Sequence, residues 1–402
     1  MEQIRQKGNG TEQIVLPDYI RALTARLEAA GERVYLVGGS LRDILLGQTP
    51  HDYDLATSAT PQKTLSLFRE DFRVIETGLK HGTVTVLSEG NPVEITTFRV
   101  DGDYTDGRHP DAVSFTRRIA DDLSRRDFTV NAMAYREGEG LIDLFDGKAD
   151  LRRRIIRTVG ESRRRFSEDA LRILRAFRFS AQLEFTIDEG TAEGIAACRE
   201  GLSRIAKERV ASEFLRLLRA RDPAPALLAM KDSGVFPFVL QDYTPCVEAI
   251  RLSSSLPPSE EARLGFLLTG TDRAADILHE LKLSNKQITG ALAVLRGSAK
   301  RIETAADARR LIACCGAWSP LAVRAAILRG NAPKEAVGWV ENNDAPVKIS
   351  ELAVTGKDLL SVGLCGKEVG ETLNALLAAV IKDPALNQRD ILLAMAKKEG
   401  LA

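Results

Sequence analysis

A Gly-Gly pair followed shortly by two aspartates spaced two apart constrains this chain more than any other feature: Gly38-Gly39-Ser40-Leu41-Arg42-Asp43, then Asp52-Tyr53-Asp54. Val34-Tyr35-Leu36-Val37 is apolar and partly β-branched, which predicts a buried strand ending at the glycines. Ser40 is the expected cap of a short helix through about Leu46, stopped by Gly47. Glycine lacks a Cβ, so free N–H groups at such a helix start approach a phosphate closely. Asp52 to Ala56 reads as the next strand, and because strand side chains alternate, Asp52 and Asp54 project together. Two hard carboxylates beside a phosphate cradle suit Mg²⁺ and two-metal phosphoryl or nucleotidyl transfer. Singly, a Gly-Gly turn is ordinary and Asp-x-Asp occurs in surface loops; the combination on adjacent strands points to nucleotide chemistry.

With 402 residues the chain has room for two or more domains with real cores. Its 56 basic and 56 acidic residues balance, so no global field marks a nucleic-acid partner. Locally the balance fails: residues 151–180 carry ten arginines (152, 153, 154, 157, 163, 164, 165, 172, 175 and 178) against Glu161, Glu168 and Asp169. Such a run is either a set of solvated helix faces or a phosphate grip, and the exclusive use of the bidentate guanidinium fork favours phosphate. The cysteines at 198, 246, 314, 315 and 365 have no zinc spacing and read as reduced, mostly buried thiols. The polar stretch Met1–Gly10 does not read as a signal peptide, and no apolar run reaches the ~18–20 residues of a membrane span. The expectation is a cytoplasmic protein without a membrane partner.

Residues 11–30 predict an amphipathic helix on Ile20, Leu23 and Leu27. Strands are expected at Val34–Val37, Asp52–Ala56, Phe72–Glu76, Thr83–Leu87 and Val93–Phe98, the last two joined as a hairpin through Ser88-Glu89-Gly90-Asn91. After residue 150 strand signals vanish and helical period takes over, with breaks near Asp222-Pro223, Leu256-Pro257-Pro258, Trp318-Ser319-Pro320 and Asn342–Pro346. The fold class that follows is α+β: an N-terminal head around one mixed sheet, then an all-helical remainder.

Two further motifs carry chemistry. In Arg125-Arg126-Asp127-Phe128-Thr129-Val130-Asn131-Ala132, a helix sets Asp127 and Asn131 on one face, suited to a ribose hydroxyl and a phosphate oxygen, with the arginines on phosphate. In Ser167-Glu168-Asp169-Ala170-Leu171-Arg172-Ile173-Leu174-Arg175, Ser167 is a good N-cap. Glu168 and Asp169 then either decorate a helix start, with Arg172 as partner, or take part in binding.

In order, these motifs resemble the class II tRNA nucleotidyltransferases, the CCA-adding enzymes, which share a catalytic head with bacterial poly(A) polymerases. The match rests on Gly38-Gly39-x-x-Arg42-Asp43, Asp52-x-Asp54, Thr96-Thr97-Phe98-Arg99-x-Asp101-Gly102-x-Tyr104, Arg125-Arg126-Asp127-x-x-x-Asn131-Ala132 and Glu168-Asp169-x-x-Arg172-x-x-Arg175. It is close over roughly residues 30–220 and less specific beyond; Leu41 stands where the family commonly has Val.

The resemblance implies a nucleotidyltransferase head (1–150), a helical neck (151–215), a body (216–345) and a tail (346–402). It implies that Asp52 and Asp54 hold two Mg²⁺ ions, with Glu94 as candidate third carboxylate or else a sheet-surface residue. Gly38, Gly39, Ser40, Arg42, Arg126, Asp127 and Asn131 would take triphosphate and ribose. Asp169 and Arg172 would read the base, Glu168 and Arg175 supporting them, while Arg209 and Glu213 brace the helices behind. The substrates would be CTP, ATP and the tRNA 3′ end. The four histidines (51, 81, 109 and 279) fit a reaction that needs no histidine base.

Base choice follows from donors and acceptors. A guanidinium that only donates and a carboxylate that only accepts satisfy cytosine and adenine alike. Uracil and guanine put an N–H before the arginine and a carbonyl before the carboxylate, each unpaired group costing ~1–3 kcal/mol. The stretch Thr96–Pro110, with Asp101, Gly102, Asp103, Asp106 and Gly107, has the composition of a mobile loop, which in the family accompanies the switch from CTP to ATP. The tail pattern Leu352-x-Val354-x-Gly356-x-Asp358-Leu359-Leu360 is either a small packed module or an RNA contact. A poly(A) polymerase, a CC-only or A-only enzyme, and an inactive RNA-binding relative are the rival readings; oligomeric state is not legible.

Overall fold

The computed structural model describes residues 4–6, 12–76, 78–102 and 113–399. Of the expected loop, Asp103, Tyr104, Asp106, Gly107 and Pro110 lie outside the described residues. The chain divides into two compact units, Met1–Leu217 with Pro225–Val239, and Leu218–Ala224 with Leu240–Ala402.

The first unit is organised by a seven-stranded sheet. Its strands are β1 (Val34–Val37), β2 (Tyr53–Thr57), β3 (Arg73–Ile75), β4 (Thr83–Ser88), β5 (Asn91–Thr97), β6 (Met133–Arg136) and β7 (Gly140–Asp143). They lie in the order β7-β6-β1-β2-β5-β4-β3, antiparallel throughout except for the parallel pair β2–β5. The continuous apolar run of β1 is buried at all four positions, as a central strand with both faces covered requires. Helix α1 (Asp18–Ala29) packs against β1 and buries Ile20, Leu23 and Leu27; Tyr35, Val37, Ala56, Phe98, Leu123 and Ala134 form a further core cluster. Ser88 pairs with Asn91 across a two-residue turn in which Glu89 (φ 50°) and Gly90 (φ 79°) are both left-handed, the expected hairpin in its type I′ form.

Helix α2 (Gly38–Leu45) starts at the glycines, with Val37 as its N-cap, so Ser40 lies inside the first turn rather than at the cap. Helices α3 (Pro61–Phe68), α4 (Ile119–Ser124), α5 (Gly147–Arg153), α6 (Ser162–Glu168), α7 (Leu171–Leu183), α8 (Glu189–Cys198) and α9 (Lys207–Leu218) follow. Three local expectations change. Asp127 to Asn131 is not helical: Phe128 bridges to Thr158 and Thr129–Asn131 is one 3₁₀ turn, from which the chain enters β6. The sequence pattern did not mark β6 and β7, which follow that motif. The expected helix from Ser167 is two helices, since Asp169 is extended (φ −144°, ψ 105°) at the end of α6, and the Ser167 hydroxyl donates to Arg163 O at 2.8 Å. Strand pairing also persists past residue 150, in the two-residue parallel pair Ile155–Ile156 with Thr186–Ile187.

The second unit is helical among its described residues. One cluster joins Leu256, Ala262, Phe266, Val294 and Ala325, another runs from Ile302 to Val340, and a third joins Leu352, Val354, Leu359, Leu376, Val380, Leu392 and Ala396. The tail pattern thus packs its own small core. Ala305–Leu328 is long and apolar enough by length and composition to cross a membrane, against the expectation of no such run. It folds as two helices, Ala305–Cys315 and Ser319–Leu328, broken by the turn Gly316–Trp318 and lining the second cluster. Neither half reaches the ~20 residues a spanning helix needs. All five cysteines are free thiols, but only Cys315 is buried.

Candidate active site

The sheet's β1–α2 turn, the start of β2 and the middle of β5 open onto a cleft of about 800 Å³ in the first unit. Gly38, Gly39, Arg42, Asp52, Asp54, Glu94, Arg126, Asp127, Asn131, Asp169, Arg172, Arg175 and Arg209 all line it. Residues drawn from six stretches of the sequence therefore converge on one surface. Ser40, Glu168 and Glu213 stand behind it.

The carboxylate end is built by register. Val37 pairs with Asp54 across β1–β2, and Asp54 with Glu94 across β2–β5, so the glycine turn and these two carboxylates meet at one level of the sheet. Burial, then Asp52, then Glu94 push the Asp54 carboxyl up to about 6 against the opposing pull of Arg126. Ser40 is 1% exposed; its hydroxyl donates to Val37 O at 2.8 Å and accepts from Asp54 N at 3.3 Å. It fixes the backbone that carries Asp54 rather than meeting a phosphate. Gly38 has φ +69°, and a Cβ there would stand 3.2 Å from Arg126 Nη1 and 3.5 Å from Asp54 Oδ2. Only glycine leaves the guanidinium room above the carboxylate.

Among the described residues no three carboxylates, imidazoles or thiolates converge into a complete metal shell. Asp52 and Asp54 instead offer a two-carboxylate platform open to the cleft. That donor set fits Mg²⁺, which is held by one or two carboxylates plus water and substrate phosphates rather than by an all-protein cage.

Behind the platform, Arg42 is 9% exposed and gives Nη1 to Asn131 Oδ1 at 2.9 Å while its Nε and Nη2 hold Asp43 at 2.8 and 2.6 Å. Asn131 Nδ2 donates to Asp127 Oδ1 at 3.3 Å, so the pair faces one way without a helix. Burial alone would raise the Asp127 carboxyl; the Arg175 guanidinium at 2.6 Å wins and holds it at about 2.

Asp169 and Arg172, the residues expected to read the base, sit on the α6–α7 break. Asp169 Oδ1 accepts from Leu171 N at 2.9 Å, capping α7, while Oδ2 accepts from Arg209 at 3.0 Å. Arg172 donates to Glu168 Oε2 at 2.7 Å, to Arg165 O at 3.1 Å and to Arg125 O at 3.2 Å. Arg209 and Glu213 do not pair with each other: Glu213 accepts from Arg178 at 2.5 Å, and Arg209 lines the cleft itself. Helix α9 thus meets α7 through Glu213 and the α6–α7 break through Arg209.

Sequence reasoning missed Phe179 and Arg216, which also line the cleft, and named Arg178 only as one of the arginine run without singling it out. The guanidinium carbons of Arg42, Arg175 and Arg178 lie 5.4, 5.3 and 4.0 Å from the Phe179 ring centroid. The continuation of the Arg172-x-x-Arg175 spacing to Arg178 was the available signal. The arginine run itself divides: Arg152, Arg153, Arg154, Arg163 and Arg164 are exposed, whereas Arg172, Arg175 and Arg178 face the cleft.

A family model described as the Poly A polymerase head domain matches residues 34–157. Models for the RNA and SrmB-binding site of polymerase A and for tRNA nucleotidyltransferase domain 2 match residues 184–247 and 258–396. Head and site therefore define a nucleotidyltransferase of the poly(A) polymerase class. The CCA-adding enzyme of Levilactobacillus brevis is 36% identical over 93% of this chain and 96% of its own length. That of Lactiplantibacillus plantarum is 38% identical over 92% of this chain and 93% of its own. The crystal structure of Bacillus stearothermophilus CCA-adding enzyme in complex with CTP matches with TM-score 0.82 at 31% identity, covering 96% of this chain and 98% of that one. The chain belongs to the CCA-adding enzyme family.

Proposed function

We propose that this protein adds CCA to the 3′ end of tRNA, without a nucleic-acid template, from CTP and ATP and with release of pyrophosphate. The observation that carries this reading is the single cleft in which the Asp52–Asp54 platform, the Gly38-Gly39 turn and the Asp169–Arg172 pair meet. The family uses divalent metal ions. Here we assign two Mg²⁺ ions to Asp52 and Asp54; Glu94, the candidate third carboxylate, lines the same cleft without completing a three-carboxylate group with them. When bound, they lower the pKa of the attacking 3′-hydroxyl and neutralise the triphosphate.

The chain's own groups do the rest. The N–H groups at the start of α2 and the Arg126 guanidinium cradle the phosphates, aligning the α-phosphorus for in-line attack. Arg42, Asp127 and Asn131, already bonded to one another, present a fixed ribose platform. Arg172 donates to the cytosine N3 and O2 or the adenine N1, and Asp169 accepts from the exocyclic amine. Both arrive pre-oriented, Arg172 by Glu168 and Asp169 by Arg209. Arg175 supports the pair through Asp127.

We divide the chain into a catalytic head (1–150), a neck that reads the base (151–215), a body (216–345) and a tail (346–402), the last two binding acceptor stem and elbow. The test is Mg²⁺-dependent incorporation into tRNA transcripts ending before CCA, after C and after CC, with the four nucleotides offered singly and together. Two C's and then one A are expected. An unbounded A tail, C's alone, A alone, or no incorporation would each replace the reading with one of its rivals.

A further inference from the structure

Asp122 belongs to none of the motifs, yet it is fully buried and both of its carboxylate oxygens are spoken for. Oδ1 accepts from Arg125 Nε at 3.0 Å and Nη2 at 2.7 Å; Oδ2 accepts from Arg126 Nη2 at 3.1 Å and Nε at 3.3 Å. A single carboxylate thus takes two consecutive guanidiniums, one on each oxygen, through charge-assisted hydrogen bonds. Burial alone would raise its carboxyl, and Arg126 and Arg125 together hold it below the usual range.

The two arginines lead to opposite functions. Arg126 Nη1 donates to Asn131 O at 3.3 Å and lies over Gly38 and Asp54, at the phosphate end. The carbonyl of Arg125 accepts from Arg172 Nη2 at 3.2 Å and from Arg165 Nη1 at 3.3 Å, and that of Ser124 accepts from Arg165 Nη2 at 2.8 Å. The last carbonyls of α4 thus hold the base-reading arginine and its neighbour, cations at a negative helix end.

We propose that Asp122 is a positioning residue that sets the phosphate-holding Arg126 and the base-reading Arg172 in one register, so that base choice and triphosphate grip depend on the same buried carboxylate. It touches no substrate; it acts through Arg126 directly and through the Arg125 main chain. The inference rests on the proposed nucleotidyl-transfer reading for what the two arginines hold.

The test uses the full-length protein with Mg²⁺ and no tRNA, measuring CTP and UTP binding by calorimetry for wild type, Asp122→Asn and Arg125→Gln. Asn keeps the shape and removes the charge. A native circular-dichroism spectrum with CTP bound about tenfold more weakly, and with the CTP-over-UTP ratio reduced, is expected for Asp122→Asn. For Arg125→Gln, which leaves the Asp122–Arg126 pair, the ratio falls while CTP affinity changes less. A native Asp122→Asn protein with both quantities within twofold of wild type overturns the proposal. Should Asp122→Asn fail to fold, Arg125→Gln decides alone, and an unchanged ratio overturns it. Wild type that binds CTP but adds no CCA would instead defeat the functional reading and leave the binding comparison intact.

Discussion

At the scale of residues, the site stores unfavourable charge where it needs a metal. The Asp54 carboxyl, moved from its ordinary 3.8 to about 6, binds its proton more tightly folded than unfolded. Between those values the native state holds more protons, so metal-free stability falls as pH rises through the window. At pH 7 the cost is about 2–3 kcal/mol. Asp54→Asn is therefore expected to abolish addition while raising metal-free stability at pH 7 by about 1–3 kcal/mol, a gain that shrinks toward pH 4. Urea melts at several pH values check this, and Mg²⁺ should stabilise wild type but not the variant. The opposite sign holds at Asp127: pairing with Arg175 lowers its carboxyl to about 2, so its contribution is present above the ordinary value and is lost as pH falls toward 2. Asp127→Asn should flatten that acid limb and cost about 1–3 kcal/mol at neutral pH, which acid-unfolding curves would reveal.

At the scale of elements, the junctions carry the chemistry. Gly38 turns β1 into α2 with φ +69° beneath Arg126, so Gly38→Ala adds both backbone strain and a contact 3.2 Å from the guanidinium. The strain costs about 1–2 kcal/mol, and the displaced arginine should raise KM for CTP and ATP alike by about tenfold, a change of about 1.4 kcal/mol. Steady-state kinetics with CTP on a transcript lacking CCA and with ATP on a CC-ended one would show unchanged KM values if only stability changed. These junctions also explain what was legible. Apolar runs and a Glu89-Gly90 turn signalled β1, β4 and β5, since period and turn chemistry are local. The break between α6 and α7 was not legible, because Ser167 through Arg175 carries continuous helical period while Arg209, forty residues on, holds Asp169 out of it. The spacing of Asp127 and Asn131 suggested helix for the same reason, and a 3₁₀ turn serves the pairing equally well.

At the scale of the molecule, the α+β head and helical remainder followed from where strand signals stop. The residues that line the cleft were mostly named by motif order, whereas several of their supports were not. Arg178 reaches Glu213 and Phe179 meets Arg42 across the fold, contacts that no local pattern marks, while the short-range pairing of Asp122 with Arg125 and Arg126 takes its meaning only from what those arginines hold. Arg263 is the extreme case in the second unit. At 1% exposure it donates to the carbonyls of Leu218, Ala220, Arg221, Ser254 and Leu256, tying the Leu218–Ala224 segment to that unit. Arg263→Met would orphan these acceptors, and a loss of about 3–5 kcal/mol is expected in denaturant unfolding.

In the proposed reaction, side chains replace a template. This is tested most directly by offering CTP, ATP, GTP and UTP singly to a transcript lacking CCA, with wild type and Arg172→Ala compared. Wild type should take CTP at least about 30-fold better than UTP, two unpaired groups at ~1–3 kcal/mol each, and Arg172→Ala should lose at least about fivefold of that ratio. A slowed variant with undiminished preference for CTP would place base choice elsewhere and contradict the account.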